Sequence, residues 1–320
     1  MPDLICLGEA LIDFPAVESG KSLIDVNEFR KVAGGAPANV SVGAAKLERS
    51  AAFIGRVGDD QFGHYLKETI EQNGVDVSQL QFDRKARTGL AFFSLPTPNT
   101  RDFLFYRNPS ADMMLDASKL DKDYLMESEV FHFGSITLIN EPSRSSTMKA
   151  ARIAKKGGAV ISYDPNLRMS LWPDEGSALH EIKKPLGMVD IVKVNDEELE
   201  FLTSESDYRK GMAKLLSHGP KLVILTLGQK GSYVLAEGLC ENIGAFDVDT
   251  VDATGCGDSF VSGLLCGVID YGIKRLTKDK DLIRSVLRFA SAAAAITSTE
   301  KGVIGALPNR KNVMEFLEGR

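Results

Sequence analysis

The chain alternates short apolar runs with longer amphipathic runs over most of its 320 residues. The apolar runs have the length of β-strands and the amphipathic runs have the length of helices. This is the pattern of parallel strands joined by crossover helices, so we predict an α/β fold built on a mostly parallel sheet. The predicted strands lie at residues 4–8, 51–55, 130–135, 159–164, 191–195 and 221–227.

Two stretches interrupt the alternation, at residues 13–31 and 89–106. In the second stretch, LAFFSL and DFLFY flank the turn residues PTPNT, which is typical of a β-hairpin. We predict that both stretches leave the main sheet and form a small sheet that covers a site at the strand ends.

The charge and cysteine content of the chain exclude several classes of function. The formal net charge is -6, with Lys and Arg spread along the chain, so a nucleic-acid or membrane-surface partner is not expected. The four cysteines show no paired spacing, and the first residues are typical of a strand rather than a cleaved leader. The longest apolar runs fall far short of the ~20 residues that cross a bilayer. We therefore predict a soluble, cytoplasmic protein.

The segment VDATGCGDSFVSGLL, residues 251–265, carries the strongest chemical signal. It places Gly255 and Gly257 directly before a helix, with Asp258 in the first turn. Free amides at a helix N-terminus bind phosphate, and an adjacent acid can take a proton from a hydroxyl group. A first-turn acid that only balances the helix dipole is the alternative interpretation.

A second glycine-rich segment, AGGAPANVSVGAAKL, occupies residues 33–47. Gly34 and Gly35 allow the backbone to approach a ligand, and Asn39 projects from the first helical turn. Alone, the segment is equally typical of a tight turn before a packed helix. The occurrence of both segments in one chain favours a functional site.

The chain contains neither the GxxxxGK[ST] sequence of P-loops nor the GxGxxG of dinucleotide folds. It resembles instead the ribokinase-like (PfkB) carbohydrate kinases, in particular their fructokinase branch. The resemblance extends through LGEALIDF, GGAPANVSVGAAKL, FIGRVGDDQFG, FYRNPSADM, DPNLR, TLGQKGS, VDATGCGDSF and KGVIGALP. It implies one kinase domain over residues 1–320, a three-layer sandwich around the main sheet, with lid segments at about 13–31 and 89–106.

The resemblance implies phosphoryl transfer from ATP to a free sugar, with D-fructose as the expected acceptor and fructose 6-phosphate as the product. Asp258 is then the general base, and the amides of Gly255, Cys256 and Gly257 stabilise the phosphoryl group. The implied sugar contacts are Asp13, Gly34, Gly35 and Asn39. The family usually has Thr or Pro at Ala253 and a smaller residue at Cys256, and backbone amides survive both changes.

The resemblance also implies sites for the nucleotide and for ions. Asn195 and Glu198 would organise the magnesium–phosphate complex, Glu198 through water, although the pair also fits a helix capping box. Thr226, Gly228 and Gly231 would line the ATP site. Asp252 and Thr254 would hold a monovalent cation, and K⁺ is expected because hard oxygen ligands suit it. The alternative is that Asp252 only caps the turn.

Arg107 and Arg168 bear on the choice of sugar, because a guanidinium donates to hydroxyls and pairs still better with a carboxylate. They keep a 2-keto-3-deoxygluconate kinase open as an alternative. A catalytically silent sugar-binding sensor is an alternative of another class, and the intact GCGD sequence argues against it. We further expect a homodimer joined through the lid, because the apolar hairpin would otherwise expose one face.

Overall fold

The computed structural model describes residues 1–97 and 100–320. Its strands are, in chain order, β1 (Leu4–Leu7), β2 (Leu11–Pro15), β3 (Val32–Gly34), β4 (Ala51–Ile54), β5 (Arg56–Gly58), β6 (Gln81–Asp83), β7 (Leu90–Thr97), β8 (Thr100–Tyr106), β9 (Val130–Phe133), β10 (Val160–Tyr163), β11 (Ile191–Asn195), β12 (Leu222–Thr226), β13 (Ser232–Ala236) and β14 (Leu239–Ile243). Its α-helices are α1 (Ala36–Lys46), α2 (Gln61–Gln72), α3 (Lys122–Met126), α4 (Ser143–Gly157), α5 (Glu175–Lys183), α6 (Asp196–Thr203), α7 (Tyr208–Leu216), α8 (Cys256–Tyr271), α9 (Ile273–Leu276), α10 (Lys280–Ser298) and α11 (Arg310–Glu318).

The main sheet has, within the described residues, eight strands in the order β14-β13-β12-β11-β10-β9-β1-β4. The strands from β12 to β4 run parallel, and all six predicted strands lie in this part. The hairpin of β13 and β14 adds an antiparallel edge, which the sequence analysis did not predict. The predicted mostly parallel α/β sheet is therefore confirmed.

Helices cover both faces of the main sheet. In β1, Leu4 and Cys6 point into a core formed with α1, α2, α8, α10 and α11, whereas Ile5 and Leu7 point into a core formed with α3 to α7. A buried strand is apolar on both faces because each face meets a helical layer. The result is the predicted three-layer sandwich.

Local sequence sets the ends of several helices. The Asp60 side chain accepts hydrogen bonds from the amides of Phe62 and Gly63 and so begins α2. Pro37 lies in the first turn of α1, where its missing N–H costs no hydrogen bond. Gly74, in the left-handed region at φ +84°, follows the end of α2.

A separate small sheet has the order β3-β2-β7-β8. Strands β7 and β8 form the predicted hairpin, whose turn residues 98 and 99 lie outside the described residues. Strand β2 begins before residue 13, and β3 lies after residue 31, so this part of the small sheet extends past both ends of the predicted range of 13–31. The two strands pair with each other. We call this small sheet the lid.

Within the described residues, no helix has both the length and the apolar character needed for a membrane span.

Candidate active site

A cavity of about 310 Å³ lies between the lid and the carboxyl ends of the parallel strands. Asp164 follows β10, Asn195 ends β11 and Thr226 ends β12, and all three line the cavity. Open α/β sheets bind ligands at this edge because the loops that follow parallel strands meet there. We call this the inner cavity.

A second cavity of about 500 Å³ adjoins the inner cavity. The two share Thr226, Ala253 and Gly257 in their linings. Gly228 and Gly231 line the second cavity at one side, and apolar side chains of α8 and α10 line another. We call it the outer cavity. A larger groove of about 1030 Å³, formed around β5 and β6, has no predicted site residue among the described residues that line it.

Asp258 lies on α8 at the inner cavity and is almost fully buried. Its Oδ2 accepts a hydrogen bond of 2.8 Å from Nδ2 of Asn39, on α1. The two helices are close because Gly43 has no side chain: a Cβ there would lie 2.2 Å from Oγ of Ser262. Among the described residues, Oδ1 of Asn39 is buried and has no hydrogen-bond partner.

The electrostatics of the inner cavity favour carboxyls that bind protons near neutral pH. Burial raises the pKa of Asp258 to about 6, partly offset by the hydrogen bond from Asn39. Burial also raises the pKa of Asp13 to about 7, with Arg168 opposing and Asp258 adding to the rise. Asp258 thus has a pKa suited to accepting a proton at physiological pH.

The residues predicted to hold the phosphoryl group lie at the N-terminus of α8, which we call the anion cradle. Gly255 is the N-cap residue, with φ 81°, and Cys256 and Gly257 begin the helix. The Cys256 amide donates to the Ala253 carbonyl at 3.4 Å, the limit of a hydrogen bond. First-turn amides have no acceptor within their own helix, and a helix N-terminus is for this reason a common binding site for anions.

The loop before the cradle is closed by Asp252. Its Oδ1 accepts from the amide and the hydroxyl of Thr254, and its Oδ2 accepts from the amide of Gly302 at 3.4 Å. This is the turn-capping alternative of the sequence analysis. The oxygens keep further lone pairs, so the arrangement also fits a monovalent cation.

Of the predicted sugar contacts, Asp13, Gly35 and Asn39 line the inner cavity, whereas Gly34 is not among the described residues that line it. Gly34 leaves room for Asp13, because a Cβ there would lie 2.0 Å from the Asp13 carboxylate. Gly35 adopts φ 112°, and a Cβ would lie 2.3 Å from the Glu9 carbonyl oxygen. Gly35 is therefore required by the backbone itself, whereas a side chain at Gly34 would displace the Asp13 carboxylate.

The two predicted arginines differ in placement. Arg168 lines the inner cavity and donates to the carbonyl of Leu167 at 3.0 Å. Arg107 is buried, and its guanidinium donates through two nitrogens to Oδ2 of Asp112. It is not among the described residues that line the cavity. Its role as a sugar contact stays a prediction that this geometry does not support.

Asn195 and Glu198 form the capping box considered in the sequence analysis. Each accepts from the backbone amide of the other, and Glu198 also accepts from the amide of Leu167 at 2.7 Å. No cluster of three or more His, Cys, Asp or Glu side chains suited to a metal occurs in the part of the chain that the structure describes.

Three ionisable residues among the described lining of the inner cavity were not predicted: Glu9, Asp164 and Lys193. Glu9 is buried, and its Oε1 caps α1 by accepting from the amide of Ala36 at 2.9 Å. Lys193 pairs with Asp164 at 2.9 Å inside the main sheet. For Lys193, a signal was present in the sequence: it is an ionisable residue inside an apolar strand, and such residues are rarely buried without a partner.

Comparisons with known proteins agree with this architecture. Residues 1–310 match the family described as pfkB family carbohydrate kinase. The chain is similar to a probable fructokinase-4 of Arabidopsis thaliana, at 45% identity over 99% of this chain and 97% of the relative. Among solved structures, it is similar to a fructokinase with bound ATP from Xylella fastidiosa, with a TM-score of 0.91, 29% identity and coverage of 100% and 99% of the two chains. It is also similar to a fructokinase from Vibrio cholerae bound to fructose, ADP and calcium, with a TM-score of 0.86, 32% identity and 99% coverage of both chains.

Proposed function

This chain belongs to the pfkB family of carbohydrate kinases, and we propose that it transfers the γ-phosphoryl group of ATP to the 6-hydroxyl of D-fructose. It is an ATP-dependent sugar kinase. The observation that carries the proposal is the buried Asp258 carboxyl beside Gly257, where the two cavities meet. The similar Vibrio cholerae protein binds fructose and ADP, which fits a sugar in the inner cavity and a nucleotide in the outer cavity.

In this proposal, Asp258 takes the proton of the sugar hydroxyl as that oxygen attacks the phosphoryl group. Asn39 fixes the Asp258 carboxyl through its Nδ2 and accepts from a sugar hydroxyl through its Oδ1. Asp13 accepts from further hydroxyls. The amides of Gly255, Cys256 and Gly257 donate to the phosphoryl oxygens and stabilise the charge that develops on them.

The proposed nucleotide and ion sites use the remaining predicted residues. Thr226, Gly228 and Gly231 let the backbone approach ATP in the outer cavity. Asn195 and Glu198 would hold Mg²⁺ through water, and the ion would neutralise charge on the phosphates. Asp252 and Thr254 would hold K⁺ behind the cradle. We propose that residues 1–320 act as one catalytic domain; its cytoplasmic location stays a prediction.

The choice of fructose follows from the charges of the inner cavity. Its described lining contains four carboxyls, from Glu9, Asp13, Asp164 and Asp258, and two cationic side chains, from Arg168 and Lys193. A sugar acid would bring a further negative charge into this surplus of carboxyls, whereas a neutral sugar would supply the hydroxyl donors that carboxylates accept. Arg107, the second arginine considered as a partner for a sugar acid, is bonded to Asp112.

A coupled assay of ADP release over a panel of sugars tests this proposal. We expect kcat/KM for fructose to exceed that for 2-keto-3-deoxygluconate by about tenfold or more. The carboxylate of the sugar acid would lie unpaired in a half-buried site, which costs at least ~1.4 kcal/mol, the equivalent of a factor of ten. The reverse order would assign the chain to the acid-sugar alternative. Fructose binding in calorimetry without turnover of any sugar would indicate the silent sensor.

We also propose that the chain forms a homodimer through the outer face of the lid. Leu104 and Tyr106 alternate with inward-facing Phe103 and Phe105 along β8, and they are 48% and 60% exposed. Tyr106 packs edge-on against Phe92 of β7, so the exposed side chains continue into an aromatic cluster. An apolar face of this kind on a water-exposed sheet favours association.

Light scattering at micromolar concentration is therefore expected to give twice the 34.8 kDa mass of the chain. Leu104→Lys should shift the mass towards one chain, because it places a charge in the covered face. Met314→Lys, at a similarly exposed apolar residue on α11 outside the lid, is the control and should leave the dimer intact. A wild-type protein that scatters as a monomer contradicts the proposal.

A further inference from the structure

Lys193 is a buried cation at the centre of the main sheet. It is the third residue of β11, between the fully buried Val192 and Val194, and only 8% of it is exposed. Taking an ammonium group out of water costs several kcal/mol unless partners compensate. A lysine at this position therefore needs a specific explanation.

The partner of Lys193 accounts for only part of its hydrogen-bonding capacity. Its Nζ donates to Oδ2 of Asp164 at 2.9 Å, and Oδ1 of Asp164 accepts from the amide of Asn166. Within the described residues, the bond to Asp164 is the only hydrogen bond that the Lys193 ammonium makes. Because an ammonium has three donors, two remain for a ligand.

The ammonium points to the anion cradle. A Cβ built on Gly257 would lie 3.4 Å from Nζ of Lys193, and this is the closest contact such a Cβ would make. Lys193 and Gly257 both line the inner cavity, and Gly257 also lines the outer cavity. The cation thus lies where the two cavities meet, on the same side as Asp258.

The surrounding charges keep Lys193 protonated. Burial alone lowers the pKa of the ammonium, but the carboxylates outweigh burial, and the net pKa is raised. The carboxylates responsible are those of Asp164, Glu198 and Asp258. The neighbouring His132 carries little charge, since burial lowers its pKa to about 4. Lys193 is therefore a permanent positive charge in the site.

We propose that Lys193 is a second catalytic group, whose ammonium donates a hydrogen bond to the phosphoryl group as it passes from the nucleotide to the sugar. The inference rests on the proposed kinase function. The sugar oxygen forms a bond to phosphorus, the bond from phosphorus to the bridging oxygen breaks, and that oxygen leaves on ADP with the electron pair. The hydroxyl proton goes to Asp258, and Lys193 keeps its own protons. Asp164 is the positioning residue that holds the ammonium.

A competing role for Lys193 is purely electrostatic tuning of Asp258. The charged groups that act on the Asp258 carboxyl are Asp13, Asp164, Lys193 and Arg168. If Lys193 only lowers the pKa of Asp258, its loss moves the acid limb of the kcat/KM profile to higher pH but leaves the alkaline plateau of kcat unchanged. If Lys193 contacts the phosphoryl group, the plateau itself falls.

The first measurement is kcat and kcat/KM against pH for wild type and Lys193→Met. The acid limb of kcat/KM should move upward from about pH 6, and the kcat plateau at about pH 9 should lie ~100-fold below wild type, the effect of removing one donor to a developing charge. KM for fructose should change little. A plateau that returns to the wild-type value overturns the inference, as does a large rise in KM with unchanged kcat.

Because Lys193→Met leaves Asp164 buried without its partner, the double variant Lys193→Met/Asp164→Asn, which removes both charges, is measured alongside it. Lys221→Met is the matched control: Lys221 pairs at 2.8 Å with the buried Asp190, away from both cavities. The control should keep wild-type kcat.

Nucleotide binding tests Lys193 without relying on any sugar. Calorimetry should show a roughly tenfold or larger loss of affinity for a non-hydrolysable ATP analogue in both Lys193 variants, with ADP affinity nearly unchanged, because only the analogue carries the γ-phosphoryl group. Equal changes for the two nucleotides overturn the inference. If wild type phosphorylates no sugar, the proposed function fails, and this comparison still decides whether Lys193 contacts the γ-phosphoryl group.

Discussion

Replacing Asp258 with asparagine is expected to lower kcat by about 100- to 10,000-fold, the usual contribution of a general base. The amide retains the shape of the carboxyl and can still accept from Nδ2 of Asn39, so the site should keep its geometry. It cannot take a proton from the sugar hydroxyl. Calorimetry should therefore show fructose and ATP binding close to wild type while the ADP-release assay shows the loss.

The pH profile gives this experiment its second readout. Burial raises the pKa of Asp258 to about 6, so wild-type kcat/KM should fall about tenfold per unit as pH drops below that value and the carboxylate is protonated. The residual activity of Asp258→Asn should lack this limb. Asp270→Asn, a carboxylate loss at the far end of α8 where Asp270 pairs with Arg49, is the control and should retain turnover. Near wild-type kcat in Asp258→Asn would remove Asp258 from the mechanism.

Gly35→Ala is expected to cause the second large effect, on stability and turnover together. The backbone at Gly35 has φ 112° and ψ 118°, and a Cβ would lie 2.3 Å from the Glu9 carbonyl oxygen. The unfavourable backbone conformation alone costs about 1–3 kcal/mol, and relieving the clash must displace the start of α1. Asn39, one turn later, moves with it. A displacement of ~1 Å is sufficient for a ~100-fold loss of kcat.

Thermal unfolding and the ADP-release assay measure these two effects. Gly158→Ala is the matched control, because Gly158 also has a positive φ, of 103°, but a Cβ there would meet no atom within 4 Å. It should lose about 1–2 kcal/mol of stability and keep its kcat. If Gly35→Ala behaves like this control, the close approach of Gly35 to Glu9 is not what shapes the inner cavity.

Features that depend on neighbouring residues were predictable from the sequence. The Asn195–Glu198 capping box joins residues three apart, and the Asp258 position in the first turn of α8 follows from the local GCGD sequence. The parallel strands were predictable because each is a short apolar run between helices. The antiparallel β13 was missed, because its alternation in SYVLA begins directly after the turn residues of TLGQKGS.

The sequence by itself determined the α/β class, the lid hairpin and the glycine-rich segments that later line the site, because those depend on periodicity and local backbone preference. Only the tertiary structure decided which polar groups meet. Asn39 and Asp258 are 219 positions apart and bond because α1 packs on α8, and Lys193 bonds Asp164 because β11 lies beside β10. Such pairings depend on the arrangement of distant elements, which no local pattern in the chain specifies.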